Sequence, residues 1–417
     1  MAALVHVIGA GLSGLSAAVQ LTKAGTKVCV YEAANHAGGR CRSYFDRTLN
    51  HRIDNGNHLV LRGNREVVEY LDLIGATDSL WEPERAEFPF IDLQSGERWL
   101  VRPDTGKIPW SIFSASKRVP GSSFGEYLKG LSLALAGPDK TVKSCLDHTG
   151  PLYRRFWEPL AVSVLNTDPG EAAAQLLWPV LRETFGRGER ACRPLIAKEG
   201  LSESFVDPAC SYLDRHGSKV KLGARLKSIG LKGDSVDSLE FADRRIEIEG
   251  DDRIVLAVPP NIARELLPDL MVPDNFRSIV NAHFELPDRK PSGISFMGLV
   301  GGTGHWLFVR DGIASVTVSA AENLVDLAPE NLAQKLWPEI TVALGLDETT
   351  PGAYRIIKEK RATFAQTPVQ IRKRPGTRTW LTNLCVAGDW TSTGLPATIE
   401  GSLLSGKQAV KAIRDSL

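Results

Sequence analysis

The feature that most constrains the fold is the start of the chain, where an apolar strand, a glycine-rich turn and a helix follow one another. The strand Leu4–Ile8 leads into the run Gly9-Ala10-Gly11-Leu12-Ser13-Gly14. Gly9 permits a tight turn, Gly11 lets the backbone approach a pyrophosphate, and Gly14 lets the helix pack closely on the strand. The start of the helix offers free N–H groups and its positive dipole end to phosphates. We therefore predict that Gly9, Gly11, Leu12, Ser13 and Gly14 bind a dinucleotide.

A second strand and an acidic residue complete this unit. Lys27–Tyr31 is rich in β-forming residues, and Glu32 follows Gly14 by eighteen positions, close to where an acid bonds the hydroxyls of a ribose. A chance glycine-rich turn would not come with a strand on each side and an acid at this spacing. The pattern predicts an α/β protein with a Rossmann-like domain that binds the ADP half of a dinucleotide.

Two further groups of residues indicate that the dinucleotide is FAD. The loop Gly38-Gly39-Arg40 can lie against the pyrophosphate, with Arg40 donating charge-assisted hydrogen bonds. Far downstream, Gly388-Asp389 follows a short strand, and the Asp389 carboxylate suits a ribityl hydroxyl. Ile399 and Glu400 open the last helix, whose positive end favours the negative charge that develops on a reduced flavin. Alone, each could be an ordinary turn or helix cap, but their order along the chain favours the FAD site.

Composition and charge exclude several other classes of protein. With 417 residues the chain can form two or three domains, and its formal charge of +1 leaves no basic surplus for a nucleic acid partner. The six cysteines are scattered without metal-ligand spacing, so we predict reduced thiols and no metal site. Residues 1–22 lack charges but follow no basic segment, unlike a signal peptide. We expect a cytoplasmic protein, soluble or peripheral to the inner face of the cytoplasmic membrane.

The FAD-binding pieces are interleaved with a second type of segment. We predict a discontinuous, GR2-type FAD-binding domain from residues 1–65, 196–269 and 376–417, and an α+β substrate-binding domain from residues 66–195 and 270–375, which contain most of the tryptophans. A second glycine cluster, Gly298–Gly304, precedes a strand-like segment, so it favours a β-hairpin turn over a second nucleotide site. Because no site for NAD(P)H is indicated, an external electron donor must reduce the FAD.

Taken together, these motifs resemble the flavin-containing amine oxidoreductase superfamily, which includes amine oxidases, protoporphyrinogen oxidase and phytoene desaturases. The resemblance covers the chain from the glycine-rich turn to the Gly388-Asp389 and Glu400-Gly401 motifs. It implies that the backbone at Leu226 contacts adenine. It also implies that the segment Gly56, Asn57, His58 and Leu59 runs along the isoalloxazine ring of FAD.

Four segments carry a closer resemblance, to the bacterial hydroxysqualene dehydroxylase family. They are residues 53–58, residues 156–160 with 165–167, residues 279–284 and, most specifically, residues 387–401, which read AGDWTSTGLPATIEG. The resemblance implies that the chain reduces the allylic alcohol hydroxysqualene to squalene with hydride from reduced FAD, in squalene and hopanoid biosynthesis.

Three alternatives to this function fit the sequence to different degrees. An amine substrate is disfavoured, because the stretch Thr393–Thr398 lacks the Tyr or Trp that forms the aromatic cage of amine oxidases. A phytoene-desaturase-like enzyme acting on another polyisoprene stays open, since local motifs do not determine the direction of hydride transfer. A non-catalytic FAD-binding subunit also stays open.

Removing hydroxide from an allylic alcohol requires an acid and a dry pocket that protects the cation from water. We predict His58 as the acid, although a histidine packed against the flavin explains that position equally well; Asp54, Asn166 and His283 are weaker candidates.

The substrate implied by the resemblance is insoluble in water, so it must arrive from a membrane or from a partner enzyme, for which the upstream squalene-pathway synthases are candidates. Residues 108–113, followed by Lys117-Arg118 and residues 127–136, mix apolar and basic residues as an interfacial membrane segment does. An ordinary amphipathic helix packed on the core is the commoner explanation of such a pattern.

Overall fold

The computed structural model describes residues 4–146, 148–287 and 294–415; residues 1–3, 147, 288–293 and 416–417 of the predicted domain ranges lie outside the described residues. The strands are β1 (Leu4–Ile8), β2 (Lys27–Tyr31), β3 (Ser43–Asp46), β4 (His51–Asp54), β5 (Val60–Leu61), β6 (Leu80–Trp81), β7 (Phe88–Asp92), β8 (Arg98–Val101), β9 (Pro194–Ala197), β10 (Lys219–Lys221), β11 (Leu226–Lys232), β12 (Ser235–Phe241), β13 (Arg245–Glu247), β14 (Arg253–Leu256), β15 (Phe276–Glu285), β16 (Ser295–Val300), β17 (Trp306–Arg310), β18 (Ile313–Val318), β19 (Tyr354–Phe364) and β20 (Leu384–Val386).

The α-helices are α1 (Leu12–Lys23), α2 (Arg65–Ile74), α3 (Phe124–Lys129), α4 (Val142–Cys145), α5 (Glu158–Leu165), α6 (Ala174–Glu183), α7 (Glu189–Cys192), α8 (Asp207–Arg215), α9 (Pro260–Leu266), α10 (Pro329–Leu344), α11 (Pro368–Arg372) and α12 (Ile399–Arg414). Wider π-helical turns over Tyr153–Trp157 and Ser202–Val206 lead directly into α5 and α8. Short 3-10 helices include Trp110–Phe113 and Gly130–Leu135.

A five-stranded parallel sheet in the order β10-β2-β1-β14-β20 forms the first layer. Its central strands β1 and β14 are almost continuously apolar and buried, as strands covered on both faces must be. The strands come from residues 4–31, 219–256 and 384–386, so segments far apart in sequence build one sheet. This sheet with its flanking helices confirms the predicted α/β class.

Helices α1 and α12 cross at very short distance on one face of this sheet. A Cβ atom at Gly406 in α12 would lie 2.4 Å from the Ser13 carbonyl oxygen, so only glycine allows this approach. Ser16 Oγ donates a hydrogen bond to the Leu403 carbonyl oxygen at 2.9 Å. The first and last helices of the chain are thereby locked together. Helix α2, which follows the predicted boundary at residue 65, packs beside them through Val67, Tyr70 and Leu71.

A seven-stranded sheet in the order β19-β15-β18-β17-β16-β7-β8 forms the second layer and is antiparallel except where β16 pairs with β7. One face of it packs on α10, where the rings of Phe284 and Trp337 lie 5.4 Å apart. The turn between β16 and β17 contains Gly301 with φ of +79°, which confirms the predicted β-hairpin at the second glycine cluster. Among the described residues, no helix is both long enough and apolar enough to cross a lipid bilayer.

Candidate functional site

The glycine-rich turn between β1 and α1 contains glycines required for two different reasons. At Gly9, where φ is +105°, a Cβ atom would lie 2.4 Å from the Ala257 carbonyl oxygen, and at Gly14 it would lie 2.0 Å from the Gly9 carbonyl oxygen. Packing within the protein therefore requires both. At Gly11, by contrast, no protein atom lies within 4 Å of the Cβ position. The open space in front of Gly11 is a cradle that a side chain would fill, which fits the close approach of a pyrophosphate.

Glu32, at the end of β2, holds this turn in place. One carboxylate oxygen accepts a hydrogen bond from the Ala10 N–H at 2.8 Å, and the other accepts one from the Ala34 N–H at 2.8 Å. Because each carboxylate oxygen has two lone pairs, Glu32 can still accept hydrogen bonds from ribose hydroxyls. The predicted ribose-binding acid therefore lies beside the glycine-rich turn and also braces it.

The loop Gly38-Gly39-Arg40 lies against the same turn. The Gly38 N–H donates to the Ala10 carbonyl oxygen at 2.7 Å, and Gly11 and Gly38 pair as isolated β-bridge partners. Gly38 has φ of +102°, and its Cβ would lie 2.4 Å from the Cys41 carbonyl oxygen, so this conformation needs glycine. The structure thus brings together the two glycine-rich segments predicted to surround the pyrophosphate.

Arg40 and Asp389, predicted to contact different parts of FAD, are bonded to each other. Arg40 Nη2 lies 2.8 Å from Asp389 Oδ2, and Arg40 Nη1 donates to the Ala362 carbonyl oxygen. Asp389 is buried, and its charge raises the pKa of Arg40. Arg40 keeps further N–H donors free to bind the cofactor, since a guanidinium carries five.

The loop that follows Asp389 is organised by Arg374, a residue that the sequence analysis missed. Arg374 is buried, and its guanidinium donates to the carbonyl oxygens of Thr391 (2.8 Å), Leu395 (2.9 Å) and Asp389 (3.2 Å), and to Thr393 Oγ1 at 3.1 Å. Burial lowers its pKa to about 10, an effect that the Asp389 charge partly opposes. No motif surrounds Arg374, so no local pattern would have marked it.

The segment Gly56–Leu59 rests on four polar side chains of the second sheet: Asn281 and His283 on β15, and Ser315 and Thr317 on β18. We call them the polar row; they pair across the strands as Asn281 with Thr317 and His283 with Ser315. Asn281 Nδ2 donates to the Asn55 carbonyl oxygen at 3.2 Å, and Asn57 Nδ2 donates to Thr317 Oγ1 at 3.1 Å. A Cβ atom at Gly56 would lie 2.9 Å from Asn281 Nδ2, so this segment and the polar row are in direct contact.

Beside this segment lies a cavity that is open to solvent. The polar part of its wall consists of His51, Arg52, Asp54, Asn57, His58, His283, Arg310 and Ser315. The apolar part of the wall consists of Ile53, Ile196, Ala197, Leu201, Ile294, Phe308, Val309 and Ile313. The structure thus places three of the four candidate acid residues in one cavity.

The fourth candidate, Asn166, is occupied elsewhere. It is buried in a left-handed conformation, bonds Thr363 Oγ1 at 3.0 Å and accepts from the Ala320 N–H at 2.7 Å. Asp54 is also fully engaged. Its Oδ1 accepts from Ser43 Oγ (2.6 Å) and from the Leu201 N–H (2.9 Å), and its Oδ2 accepts from Arg310 Nη2 (3.0 Å). Its carboxylate therefore links Ser43, Leu201 and Arg310.

The two histidines of the cavity differ in their surroundings. The His58 side chain is exposed to the cavity. Desolvation by the surrounding protein lowers its pKa, the Asp54 charge opposes this shift and the Arg40 charge adds to it. His283 is fully buried, and burial lowers its pKa to about 4; Asp54 again opposes and Arg310 adds to the effect. His58 is therefore the one with solvent access for exchanging protons.

Leu226, Ile399 and Glu400 lie outside the five-stranded sheet, Leu226 in the separate sheet β11-β12-β13 and the other two at the start of α12. Leu226 is the first residue of β11 and is buried. Ile399 is the first residue of α12 and follows the N-cap Thr398, whose Oγ1 accepts a hydrogen bond from the Gly401 N–H at 3.2 Å. Glu400 accepts from the N–H groups of Glu66 (3.1 Å) and Val67 (3.0 Å) at the start of α2. Burial raises the pKa of Glu400 to about 7, although these backbone hydrogen bonds act to lower it. Its side chain therefore joins two helix starts.

Arg310 was also missed by the sequence analysis. It ends the strand β17, donates to the Ala197 carbonyl oxygen at 3.0 Å and pairs with Asp54. A single arginine after four apolar or aromatic residues, Trp306–Val309, is the only local signal, and it is a weak one.

Comparison with known proteins agrees with this geometry. Residues 12–414 match the family described as flavin containing amine oxidoreductase. A hydroxysqualene dehydroxylase from Rhodopseudomonas palustris is 46% identical and one from Sinorhizobium fredii 45% identical; the matches cover 99% of both chains and 97% of both chains, respectively.

Among solved structures, cyclohexylamine oxidase from Brevibacterium oxydans has the same fold, with a TM-score of 0.68 at 16% identity over 100% of this chain and 99% of that one. The predicted FAD cofactor is confirmed by the family, and the cradle at Gly11 fits it. The chain therefore belongs to the flavin-containing amine oxidoreductase family and, within it, to the hydroxysqualene dehydroxylases.

Proposed function

We propose that this protein reduces the allylic alcohol hydroxysqualene to squalene. The observation that carries the proposal is the identity of 46% and 45%, over nearly the full length, to two hydroxysqualene dehydroxylases. The cavity supports it, because eight apolar side chains, among them Ile196, Phe308 and Ile313, form half of its lining, and the polar half includes His58 of the segment Gly56–Leu59.

The reaction breaks the allylic C–O bond and forms a C–H bond on the allylic cation that remains. When bound, reduced FAD supplies the hydride for the new C–H bond. The hydroxyl group leaves as water once it has taken up one proton, so the protein must provide that proton and exclude other water molecules. The apolar wall, including Ile196, Phe308 and Ile313, performs the second task.

We assign the proton transfer to His58. It lies in the cavity wall, reaches solvent and makes no hydrogen bond to any described residue. Its lowered pKa makes the imidazolium a stronger acid, although less of it is protonated at neutral pH. If His58→Ala binds FAD normally and converts hydroxysqualene at the wild-type rate, the assignment is wrong; a histidine that only packs against the cofactor gives that result.

The predicted cofactor-binding residues, His58 among them, form the proposed FAD site. It comprises Gly9, Gly11, Leu12, Ser13, Gly14, Glu32, Gly38, Gly39, Arg40, Gly56, Asn57, His58, Leu59, Leu226, Gly388, Asp389, Ile399 and Glu400. The proposed domain division places residues 1–65, 196–269 and 376–417 on the FAD side and residues 66–195 and 270–375 on the substrate side. The separate five-stranded and seven-stranded sheets support it, whereas the small sheet β5-β9-β6 joins the two sides and α2 packs on the FAD side.

The decisive experiment is an anaerobic incubation of dithionite-reduced protein with hydroxysqualene, phytoene or squalene in separate reactions. We expect squalene from the first reaction and no product from the others. Conversion of phytoene or squalene instead would support a desaturase-like enzyme. FAD-loaded protein that turns over none of the three would support a non-catalytic subunit. Dithionite replaces the external electron donor that the protein needs in the cell.

We also propose that the protein takes up its substrate at the inner face of the cytoplasmic membrane through an exposed apolar surface. This surface consists of Ile108, Trp110, Phe113, Leu128, Leu131 and Leu135, of which Trp110 is 64% and Leu135 89% exposed. Its two halves are joined where the Phe113 and Phe124 rings lie 4.8 Å apart. The exposed Lys107, Lys117 and Lys129 flank it, which favours anionic lipid headgroups.

Flotation with vesicles of phosphatidylcholine and phosphatidylglycerol tests this surface. We expect the wild type to float with the vesicles and the double variant W110D/F113D to stay behind. Trp380, which is 46% exposed on another segment, provides the matched control W380D, which should float. If the double variant floats like the wild type, delivery by an upstream squalene-pathway synthase becomes the better proposal.

A further inference from the structure

His283 carries a nitrogen atom that the protein leaves without a partner inside the cavity wall. The residue is 1% exposed, and its Nδ1 lies 2.7 Å from Ser315 Oγ. Its Nε2 is buried and has no hydrogen-bond partner among the described residues. Buried polar atoms in native proteins are almost always paired, so an unpaired one requires an explanation.

The neighbouring pair in the polar row shows that the protein itself can provide hydrogen-bond partners at this location. Asn281 and Thr317 occupy the equivalent cross-strand position two residues away. Thr317 Oγ1 donates to Asn281 Oδ1 at 2.8 Å, and Asn281 Nδ2 donates to the Asn55 carbonyl oxygen at 3.2 Å. The Asn55 carbonyl oxygen, just before Gly56, is therefore the backbone partner of that pair. His283 and Ser315 both line the cavity instead, and Nε2 of His283 has no such partner among the described residues.

The imidazole of His283 is neutral at pH 7, because burial lowers its pKa to about 4, with Arg310 adding to the shift and the Asp54 and Asp46 carboxylates opposing it. A neutral imidazole has one N–H donor and one acceptor nitrogen. When the Ser315 hydroxyl donates to Nδ1, the proton resides on Nε2. The open nitrogen is then a hydrogen-bond donor without a formal charge, which suits an uncharged oxygen.

We propose that His283 Nε2 binds the hydroxyl oxygen of an allylic alcohol substrate and thereby selects the alcohol over the hydrocarbon. This inference rests on the proposed function. A buried donor built for an oxygen rejects an analogue that lacks it, because the donor is then left unpaired. Squalene has no oxygen, so the same donor would weaken the binding of the product and favour its release. His283 is a specificity residue in this scheme, and the proton comes from His58.

The test compares the binding of hydroxysqualene and squalene to the oxidised, FAD-loaded protein, followed by the absorbance change of the bound flavin. Oxidised enzyme does not turn over the alcohol, so the measurement reports affinity alone. We expect the wild type to bind the alcohol about 10-fold to 100-fold more tightly than the hydrocarbon. In His283→Leu this preference should disappear through weaker binding of the alcohol, with unchanged or tighter binding of squalene.

Two further variants provide a second test and a control. Ser315→Ala, which retains the imidazole, should reduce the preference several-fold and provides a second test if His283→Leu does not fold. His305→Gln is the matched control, because His305 also has a pKa lowered to about 4 by burial but does not line the cavity. It should keep the wild-type preference.

The outcomes separate this inference from the proposed function. Conversion of hydroxysqualene by a reduced wild type that binds both ligands equally would overturn the role of His283 alone. A preference that survives in both His283→Leu and Ser315→Ala would also overturn it. A wild type that neither binds nor converts hydroxysqualene would overturn the proposed function, and the role of His283 with it.

Discussion

Arg40 and Asp389 form an ion pair, with 2.8 Å between Arg40 Nη2 and Asp389 Oδ2, although 349 residues separate them in the chain. The pair ties the loop after β2 to the loop after β20. Both loops contain residues proposed to bind FAD, so the pair couples the two ends of the cofactor site.

A double-mutant cycle on this ion pair should therefore show coupling in FAD binding. We expect Arg40→Met and Asp389→Asn each to weaken FAD binding by at least about 10-fold. The double variant should be no weaker than the poorer single variant, because the second change removes a partner already lost. FAD dissociation constants from fluorescence titration provide the measurement. Losses that simply add would mean that the two residues act independently.

The two kinds of glycine in the turn after β1 should respond differently to alanine. Gly14→Ala places a Cβ 2.0 Å from the Gly9 carbonyl oxygen and should destabilise the fold by more than about 3 kcal/mol, because backbone atoms must move. Gly11→Ala meets no protein atom within 4 Å, and its φ of −71° suits any residue. It should leave the melting temperature of the cofactor-free protein nearly unchanged while weakening FAD binding at least about 10-fold. Equal effects of both substitutions on folding would contradict this distinction.

Arg374 should be among the most sensitive positions in the C-terminal segment. Arg374→Met removes the four hydrogen bonds that the buried guanidinium donates to the loop from Asp389 to Leu395, so we expect a loss of about 3 kcal/mol in the free energy of unfolding. Arg374→Lys keeps the charge but not the fork of donors and should be intermediate. The nearby Arg372, an exposed partner of Asp139, is the control; Arg372→Met should cost less than about 0.5 kcal/mol in urea denaturation.

His283 should make the stability of the protein depend on pH in the acid range. Its pKa is about 4 in the folded state and near the ordinary value of 6.5 when unfolded, so between these values the unfolded chain binds more protons. Stability is therefore full above about pH 6.5 and falls as pH decreases toward 4, by up to about 3 kcal/mol from this residue.

Urea denaturation of the wild type and His283→Gln at pH 7, 6, 5 and 4 checks this dependence. We expect a shallower pH slope in the variant over that range. His305 contributes a similar slope through its own lowered pKa, so His283→Gln should reduce the dependence without abolishing it. Parallel slopes in the two proteins would show that His283 is protonated at its ordinary pKa in the folded state.

Local patterns predicted the elements whose cause is local. The turn at Gly9–Gly14, the hairpin after β16 and the helix from Ile399 follow from glycine positions, apolar periodicity and capping within a few residues. The position of Glu32 next to the glycine-rich turn could be anticipated for the same reason, since one strand and one helix separate them.

The sequence by itself determined that this chain builds a Rossmann-like site for FAD, because that information lies in the spacing of glycines, an acid and two strands. Only the tertiary structure decided that Arg40 pairs with Asp389, that Arg374 holds the loop before α12, and that His283 keeps an open nitrogen while Asn281 does not. These are contacts between segments up to hundreds of residues apart. Their geometry depends on how two sheets and their helices pack, and no local pattern of residues encodes that packing.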